Sequence, residues 1–481
     1  MKSEHIILRL KQHSTRDAYI GPASDLIDMR AALQKASMPR LFPNLAGAGM
    51  GTRGGAFNLD AVLASLASTT QAPRMPEEVS VEMENIERAR IPEIARHPDV
   101  IGIAPNVPMM HIGSVNPGSD VDFGVGNIAW GVKAVGAHTS PYTGKGVVVA
   151  ILDSGIDRTH PAFADVNLIE KDFTGDGNGD VMGHGTHCAG TIFGRGANLG
   201  RVGVAPGVET ALIGKIFGRR GAISSKEILD AISWAVSNGA NAISMSCGIN
   251  YPLLVQNLEK DYPPDMALAL ALESYRANLH LFDKMASLLK GDSWGNPTII
   301  VASAGNDSHR EINPAYEVGV TPPANAEGFI SVGALQPCAD GSALFEVTSF
   351  SNSGADIAAP GVNIVSAKIG GGWMSMNGTS MAAPHVTGVA LLWAEKLKQM
   401  LSLNSTLLTA KILASASPDE FPKGYDPADV GAGLAKAPEP ARSQAAPRKM
   451  RRAPRGAVRP SCPFWPSARR RGGSGGGENR R

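Results

Sequence analysis

The stretch Val147-Val148-Val149-Ala150-Ile151-Leu152 carries no polar side chain. A strand with one wet face alternates apolar and polar residues. A run without alternation belongs in a sheet covered on both sides, the usual setting of parallel strands. Thr210–Ile216, Ala242–Met245, Thr298–Ser303 and Phe329–Val332 are runs of the same kind. Helical patterns over Ser225–Asn238, Asp265–Leu289 and Met381–Gln399 are interspersed with them or follow them. This alternation predicts an α/β domain, a parallel sheet flanked by helices. In such sheets, sites form at the carboxyl ends of the strands.

Three segments at such positions carry reactive side chains. The first apolar run ends in Asp153, with Gly155 two residues on for a turn. Gly183-His184-Gly185-Thr186-His187-Cys188-Ala189-Gly190 places two histidines among small residues, where backbone can approach a ligand closely. A helical metal motif would set two histidines at i, i+4, usually with a Glu; here the spacing is i, i+3 with no acid between. Asn377-Gly378-Thr379-Ser380-Met381-Ala382-Ala383-Pro384-His385 puts a serine after a Gly-led turn and before a helix-forming run. A helix N-terminus offers unpaired N–H groups and a dipole that favours negative charge. Taken singly, each residue has an ordinary role: Asp153 and Ser380 as caps, the histidines as structural. Taken together they are the nucleophile, base and orienting carboxylate that acyl transfer by serine needs.

The chain order Asp, His, Ser and the wording of the three segments closely resemble the active-site signatures of the subtilisin-like serine proteases (subtilases, peptidase family S8). The resemblance implies that Ser380 is the nucleophile, His184 the base and Asp153 the carboxylate that fixes the imidazole. His187 and His385 are then structural. Ala302-Ser303-Ala304-Gly305-Asn306-Asp307 is similar to the family's oxyanion segment, which implies that Asn306 donates its side-chain amide to the tetrahedral intermediate. Ser246-Cys247-Gly248 is similar to the strand on which extended substrate adds as a further strand, by backbone hydrogen bonds. Gly203-Val204-Ala205-Pro206 and Ala358-Ala359-Pro360-Gly361 fit as scaffold turns. The implied fold is subtilisin-like, over residues 129–437. An amphipathic helix through Leu268, Leu272, Tyr275, Leu279, Phe282 and Leu289 is read as a surface-packed insertion spanning 251–296.

Upstream, strands over His5–Leu10, Val79–Ile86 and Val100–Ile103, with helices over Leu59–Ser68 and Glu87–Arg96, make a small α+β unit over 1–112. This unit resembles the family's ferredoxin-like inhibitory propeptide, with Pro98–Pro105 as its last strand. A propeptide tail can lie extended in its own active site and be cut there, so self-cleavage is expected within 108–128. Residues 113–128 are rich in Gly, Ser, Asp and Asn and read as an exposed linker holding the processing site.

Charge is unevenly spread. Residues 441–481 hold 12 Lys/Arg and one acid, hence +11, so the rest of the chain carries +1 − 11 = −10. The segment 438–481 lacks apolar periodicity and reads as a disordered basic tail. It has no zinc or base-stacking motif, so no nucleic-acid partner is expected. The expected partners are polypeptide substrates and the chain's own propeptide as intramolecular inhibitor. The rival reading is a catalytically silent peptide-binding module on the same fold.

The four cysteines, Cys188, Cys247, Cys338 and Cys462, are scattered and imply neither a disulfide framework nor a metal site. Cys188 stands four residues after His184, on the same helix face. No cofactor is required for the chemistry. Asp172, Asp176, Asn178 and Asp180 lie in an oxygen-rich, Gly-rich loop of the kind that can hold structural calcium, without the register or closing Glu of an EF-hand. No secretory signal or membrane span is legible. Cytoplasmic placement is the default, with export by another route as the alternative. Asp307, beside the oxyanion segment, would favour basic side chains if it faces the first specificity pocket.

Overall fold

In the computed structural model, the described residues are 2–11, 78–116, 118–195, 200–219, 223–290, 296–339, 341 and 344–440. The expected helix at 59–68 and the basic tail from 441 lie outside them.

The first unit is a three-stranded antiparallel sheet of β1 (Lys2–Lys11), β2 (Glu78–Glu87) and β3 (Val100–Pro105), with β1 in the middle. Side chains alternate across it. Ile6, Leu8, Val79 and Ala104 face one way, into the large core of the body. Ile7 and Ile86 face the other way, onto Ile94 of the short helix Ile91–Ala95. The helix expected over Glu87–Arg96 is thus mostly replaced. β2 continues to Glu87, a 3-10 turn follows at Arg88–Arg90, and Pro92 opens the single α turn. Two short strands come next, β4 (Pro108–His111) and β5 (Ser119–Val121).

The body is built on a parallel sheet. Its strands are β6 (Val148–Asp153), β7 (Asn167–Asp172), β8 (Thr210–Lys215), β10 (Ala242–Met245), β12 (Ile299–Ser303), β13 (Phe329–Pro337), β14 (Phe345–Val347) and β15 (Ile357–Pro360). The short strands β9 (Ile223–Ser224) and β11 (Cys247–Ile249) stand apart from it. The order across the sheet is β14-β13-β12-β10-β6-β8-β7, with β15 also on β13; only β14 runs antiparallel. The apolar run that opened the sequence argument is buried on both faces. Val149 and Ile151 enter one core with helices α1 (His184–Phe193) and α4 (Thr379–Gln399). Ala150 and Leu152 enter the other core with helices α2 (Ser225–Ser237) and α3 (Pro264–Lys290).

The stretch read as an insertion is a short helix, Tyr251–Leu258, followed by α3. The expected apolar stripe is only half right. Phe282 and Leu289 are buried, whereas Leu268 and Leu272 are each 53 % exposed. The inward face uses Ala267, Ala271, Ser274 and Asn278 instead. These small residues let the helix lie close to its neighbours, a signal that counting large apolar residues misses. This helix packs against β3 of the first unit.

Three contacts seat the first unit. Asn278 of α3 donates its amide to the Pro105 carbonyl at 2.8 Å. Asn106 accepts at Oδ1 from the Lys226 N–H at 3.2 Å, satisfying an unpaired donor in the first turn of α2. Val107 and Ser225 exchange two bonds, Val107 N–H to Ser225 Oγ at 3.1 Å and Ser225 N–H to the Val107 carbonyl at 2.9 Å. The residues expected as an exposed linker also pair. β5 forms a small antiparallel sheet with β17 (Trp373–Met376), which pairs with β16 (Ile364–Ala367). Among the described residues, no helix is long and apolar enough to cross a membrane.

Candidate active site

The sheet delivers Asp153 at the carboxyl end of β6, its central position giving 2 % exposure. Gly155 then turns the chain at a φ of 105°, a conformation that favours glycine. Gly185, next to His184 in α1, approaches that turn so closely that a Cβ on it would lie 2.2 Å from the Gly155 carbonyl oxygen. Two glycines therefore let the helix carrying His184 press against the strand end carrying Asp153.

The contact this permits is short. His184 Nδ1 lies 2.9 Å from Asp153 Oδ1 and 3.0 Å from Oδ2. Both side chains are buried. Burial alone would lift the Asp153 pKa, but the positive field of His184, its hydrogen bonds to the carboxylate and the nearby His111 ring outweigh it, holding the carboxyl far below the usual range. Burial alone would likewise lower His184; the Asp153 charge reverses this and raises it well above 6.5. Cys188 Sγ lies 3.7 Å from His184 Nδ1 and 3.5 Å from the Ser380 carbonyl. Burial pushes this thiol up to about 11, so it stays protonated at neutral pH and the attraction on His184 comes from Asp153. His187 and His385 are held neutral by burial, at about 3 and about 4, and bind the carbonyls of Ile364 and Met381.

Ser380 is the second residue of α4 and fully buried. Its hydroxyl donates to the Ile112 carbonyl, not to His184. His184 Nε2 makes no hydrogen bond among the described residues. Asn306, just past β12, accepts at Oδ1 from the Thr379 N–H at 2.9 Å and Oγ1 at 2.8 Å. Its amide donates to the Gly113 carbonyl at 2.9 Å. The carboxylate–imidazole pair, the serine and the amide thus converge, and residues 109–113 lie among them.

That segment runs as an added strand. β4 pairs antiparallel with β11, His111 opposite Cys247, Met110 opposite Gly248 and Met109 opposite Ile249. On its other edge it pairs with β9. The Ile112 N–H donates to the Ser246 carbonyl at 3.0 Å. A Cβ on Gly248 would lie 2.7 Å from Thr321 Cγ2, so a larger residue there would push Thr321 aside, while Ile112 Cδ1 at 3.6 Å would be in ordinary contact. Beyond Gly113, Ser114 Oγ and the Val115 N–H both donate to the Asn377 carbonyl, at 2.9 and 2.8 Å. The Asp307 carboxylate is engaged by Thr321 and Asn352, each at 3.0 Å.

The Gly-rich loop is braced by hydrogen bonds of its own carboxylates. Asp172 accepts from Thr174 and the Gly177 N–H, Asp176 accepts from the Arg219 N–H, and Lys215 Nζ donates to the Gly177 carbonyl at 2.9 Å. Among the described residues its carboxylates do not gather as one ligand group. Asp180 instead ties the site together. It accepts from Ser154 Oγ, the N–H groups of Met182 and Gly183, and both the N–H and Oγ1 of Thr186, all within 2.7–2.9 Å. Ser154 Oγ in turn accepts from the Gly185 N–H at 2.9 Å. One carboxylate therefore fixes both the turn after Asp153 and the first turn of α1. Asp180→Ala strands these donors, at about 1–3 kcal/mol for each that stays dry. The expected result is a clear fall in the midpoint of urea unfolding, measured in a Ser380→Ala background.

His111 and Ile112 escape the sequence reading as site residues, and Asp180 enters it only as part of a possible calcium loop. The pairing of 108–112 with 246–249 spans more than 130 positions, and no local pattern encodes it. The spacing Asp-x-x-x-His was the available sign for Asp180.

The profile described as Subtilase family matches residues 144–437 of this chain. M-protease of Shouchella clausii (strain KSM-K16) is 34% identical over 282 residues, 56% of this chain and 60% of that protein. Subtilisin Savinase of Lederbergia lenta is 33% identical over 282 residues, covering 56% of this chain and 85% of that one. Subtilisin E of Bacillus subtilis (strain 168) is 33% identical over 275 residues, 55% and 60% respectively. The chain spans less than two thirds of the first and third of these relatives. A match over more than half the sequence, on a parallel sheet that brings Asp153, His184 and Ser380 to one place, leads to one conclusion: the chain belongs to the subtilase family.

Proposed function

We propose that this protein is a serine endopeptidase made as a self-inhibited proenzyme, and that its first substrate is its own Ile112–Gly113 bond. The observation that carries the reading is the seating of 109–113. An extended segment adds to the Cys247–Ile249 edge and presents a carbonyl, that of Ile112, to the Ser380 hydroxyl. Edge addition by backbone hydrogen bonds is how a protease can hold any peptide in extended form, with side-chain pockets refining the choice.

In this mechanism Ser380 Oγ attacks the Ile112 carbonyl carbon. His184 Nε2, which makes no competing hydrogen bond among the described residues, takes the hydroxyl proton. Asp153 keeps Nδ1 protonated and stabilises the imidazolium. The peptide bond breaks as His184 returns the proton to the Gly113 nitrogen. Water then attacks the acyl carbon, its proton passing to His184, and His184 returns that proton to Ser380 Oγ as the Ile112 carboxyl group is released. Asn306 is the oxyanion donor: one N–H of its amide holds the Gly113 carbonyl in the seated state, and its second N–H is the donor for the Ile112 oxygen. Once cut, 1–112 remains an inhibitor held by the contacts of Asn106, Val107 and Asn278 until it dissociates.

Asn306→Ala removes the one side-chain donor to the oxyanion. The expected effect is a fall of about 10²–10³ in kcat with KM little changed, as for the corresponding residue of subtilisin. Steady-state kinetics on a fluorogenic peptide check it. The reading as a whole is tested with a fluorophosphonate probe on the processed protein. Labelling at Ser380 with peptide hydrolysis is expected. An unlabelled, inert protein would instead favour a silent peptide-binding module.

A further inference from the structure

One histidine of the seated strand stands among the reacting groups, and acyl transfer has no use for it. His111 Nε2 lies 3.7 Å from Asp153 Oδ1, beyond hydrogen-bond length. Its ring meets that of His184 edge to face, with centroids 4.2 Å apart and planes at 88°, and its other neighbour is Phe217 at 4.9 Å. The side chains of His111, Asp153 and His184 are 13, 3 and 5 % exposed. The Nε2 atoms of both histidines are buried without a hydrogen-bond partner among the described residues. One donor atom from each of the three residues lies within 4.8 Å of the other two.

Two imidazoles and a carboxylate form the donor set of a borderline divalent cation. With metal–nitrogen and metal–oxygen distances of about 2.0–2.2 Å, tetrahedral donors stand roughly 3.4 Å apart. The observed 3.7 Å between His111 and Asp153 is close to that.

We propose that His111, Asp153 and His184 form an inhibitory site for an imidazole-seeking divalent cation of the zinc type, which clamps the uncut strand in the active site. The proposal rests on the reading of 109–113 as the seated inhibitory segment. A cation on His184 occupies or reorients the base that must receive the Ser380 proton, so the cut stops. Because His111 departs with the strand, the site exists in full only before processing. Oxygen-seeking cations such as Mg²⁺ lack a matching donor set here.

The test uses the full chain with Ser380→Ala, which stays uncut, so that binding is read without activity. Zinc displaced from a chromophoric chelator, and the visible absorption of bound Co²⁺, report occupancy and imidazole coordination. One equivalent is expected at this site, unaffected by excess Mg²⁺. Replacing His111 by Ala or by Gln is expected to weaken it at least tenfold while the melting temperature confirms folding. In the wild-type chain the same zinc concentration slows self-cleavage, and His111→Gln removes that sensitivity. Absence of stoichiometric binding, or binding unchanged in both His111 variants, overturns the proposal. Metal binding in a chain that never cleaves itself would count against the protease reading while leaving this site standing.

Discussion

Ser380→Ala abolishes peptide hydrolysis and leaves the chain uncut. The expected loss in kcat is on the order of 10⁶, the effect of removing the corresponding serine of subtilisin. Folding should be spared. Ser380 is buried in the first turn of α4, and its hydroxyl makes one hydrogen bond, to the Ile112 carbonyl. Losing that bond costs about 0.5–1.5 kcal/mol in the uncut chain. Kinetics and a melting curve on one preparation separate the two effects. An intact fold with no turnover is expected, and residual turnover above the oxyanion-site background would move the nucleophile elsewhere.

Asp153→Asn lowers kcat by roughly 10⁴ and moves the acid limb of the pH–rate profile. The sign follows from His184, which works as a base only when neutral. Burial opposes its protonation, and the Asp153 charge outweighs burial and raises its pKa well above 6.5. Activity is therefore full at pH above that raised value and falls as pH drops through it. An amide at 153 removes the attraction and leaves the burial, so the limb shifts to lower pH. The residual rate is small because the imidazolium has lost its partner and the tautomer is no longer fixed. A profile of kcat/KM against pH for both proteins checks the shift. A limb that stays in place would assign the titration to another group.

The parts of this architecture legible in the sequence are those encoded locally. The buried strands β6, β8, β10, β12 and β13 announce themselves by apolar runs, and their observed bounds differ from the expected ones mainly at the ends. Asp153, His184, Ser380 and Asn306 were marked by glycine turns and by family wording, and the fold brings them together. What stayed hidden depends on distant partners. The Gly- and Asp-rich stretch after 113 reads as a loop, yet Ser119–Val121 becomes a strand because the edge of β17 is there to pair with it. The inward face of α3 is built from Ala267, Ala271, Ser274 and Asn278, residues that hydrophobic counting passes over. His111 looks like any surface histidine until β11 is known to lie beside it. Asp180 suggests a cation loop by composition, and only its five donors reveal a residue that holds Asp153 and His184 in place.

The central claim is that the chain seats its own segment in its own active site and cuts it there. Intact-mass analysis and N-terminal sequencing of the purified protein, beside Ser380→Ala, address this most directly. The account predicts a wild-type fragment beginning at Gly113 and a variant that remains joined across the Ile112–Gly113 bond. A wild-type chain that hydrolyses peptides while still joined across that bond would contradict it.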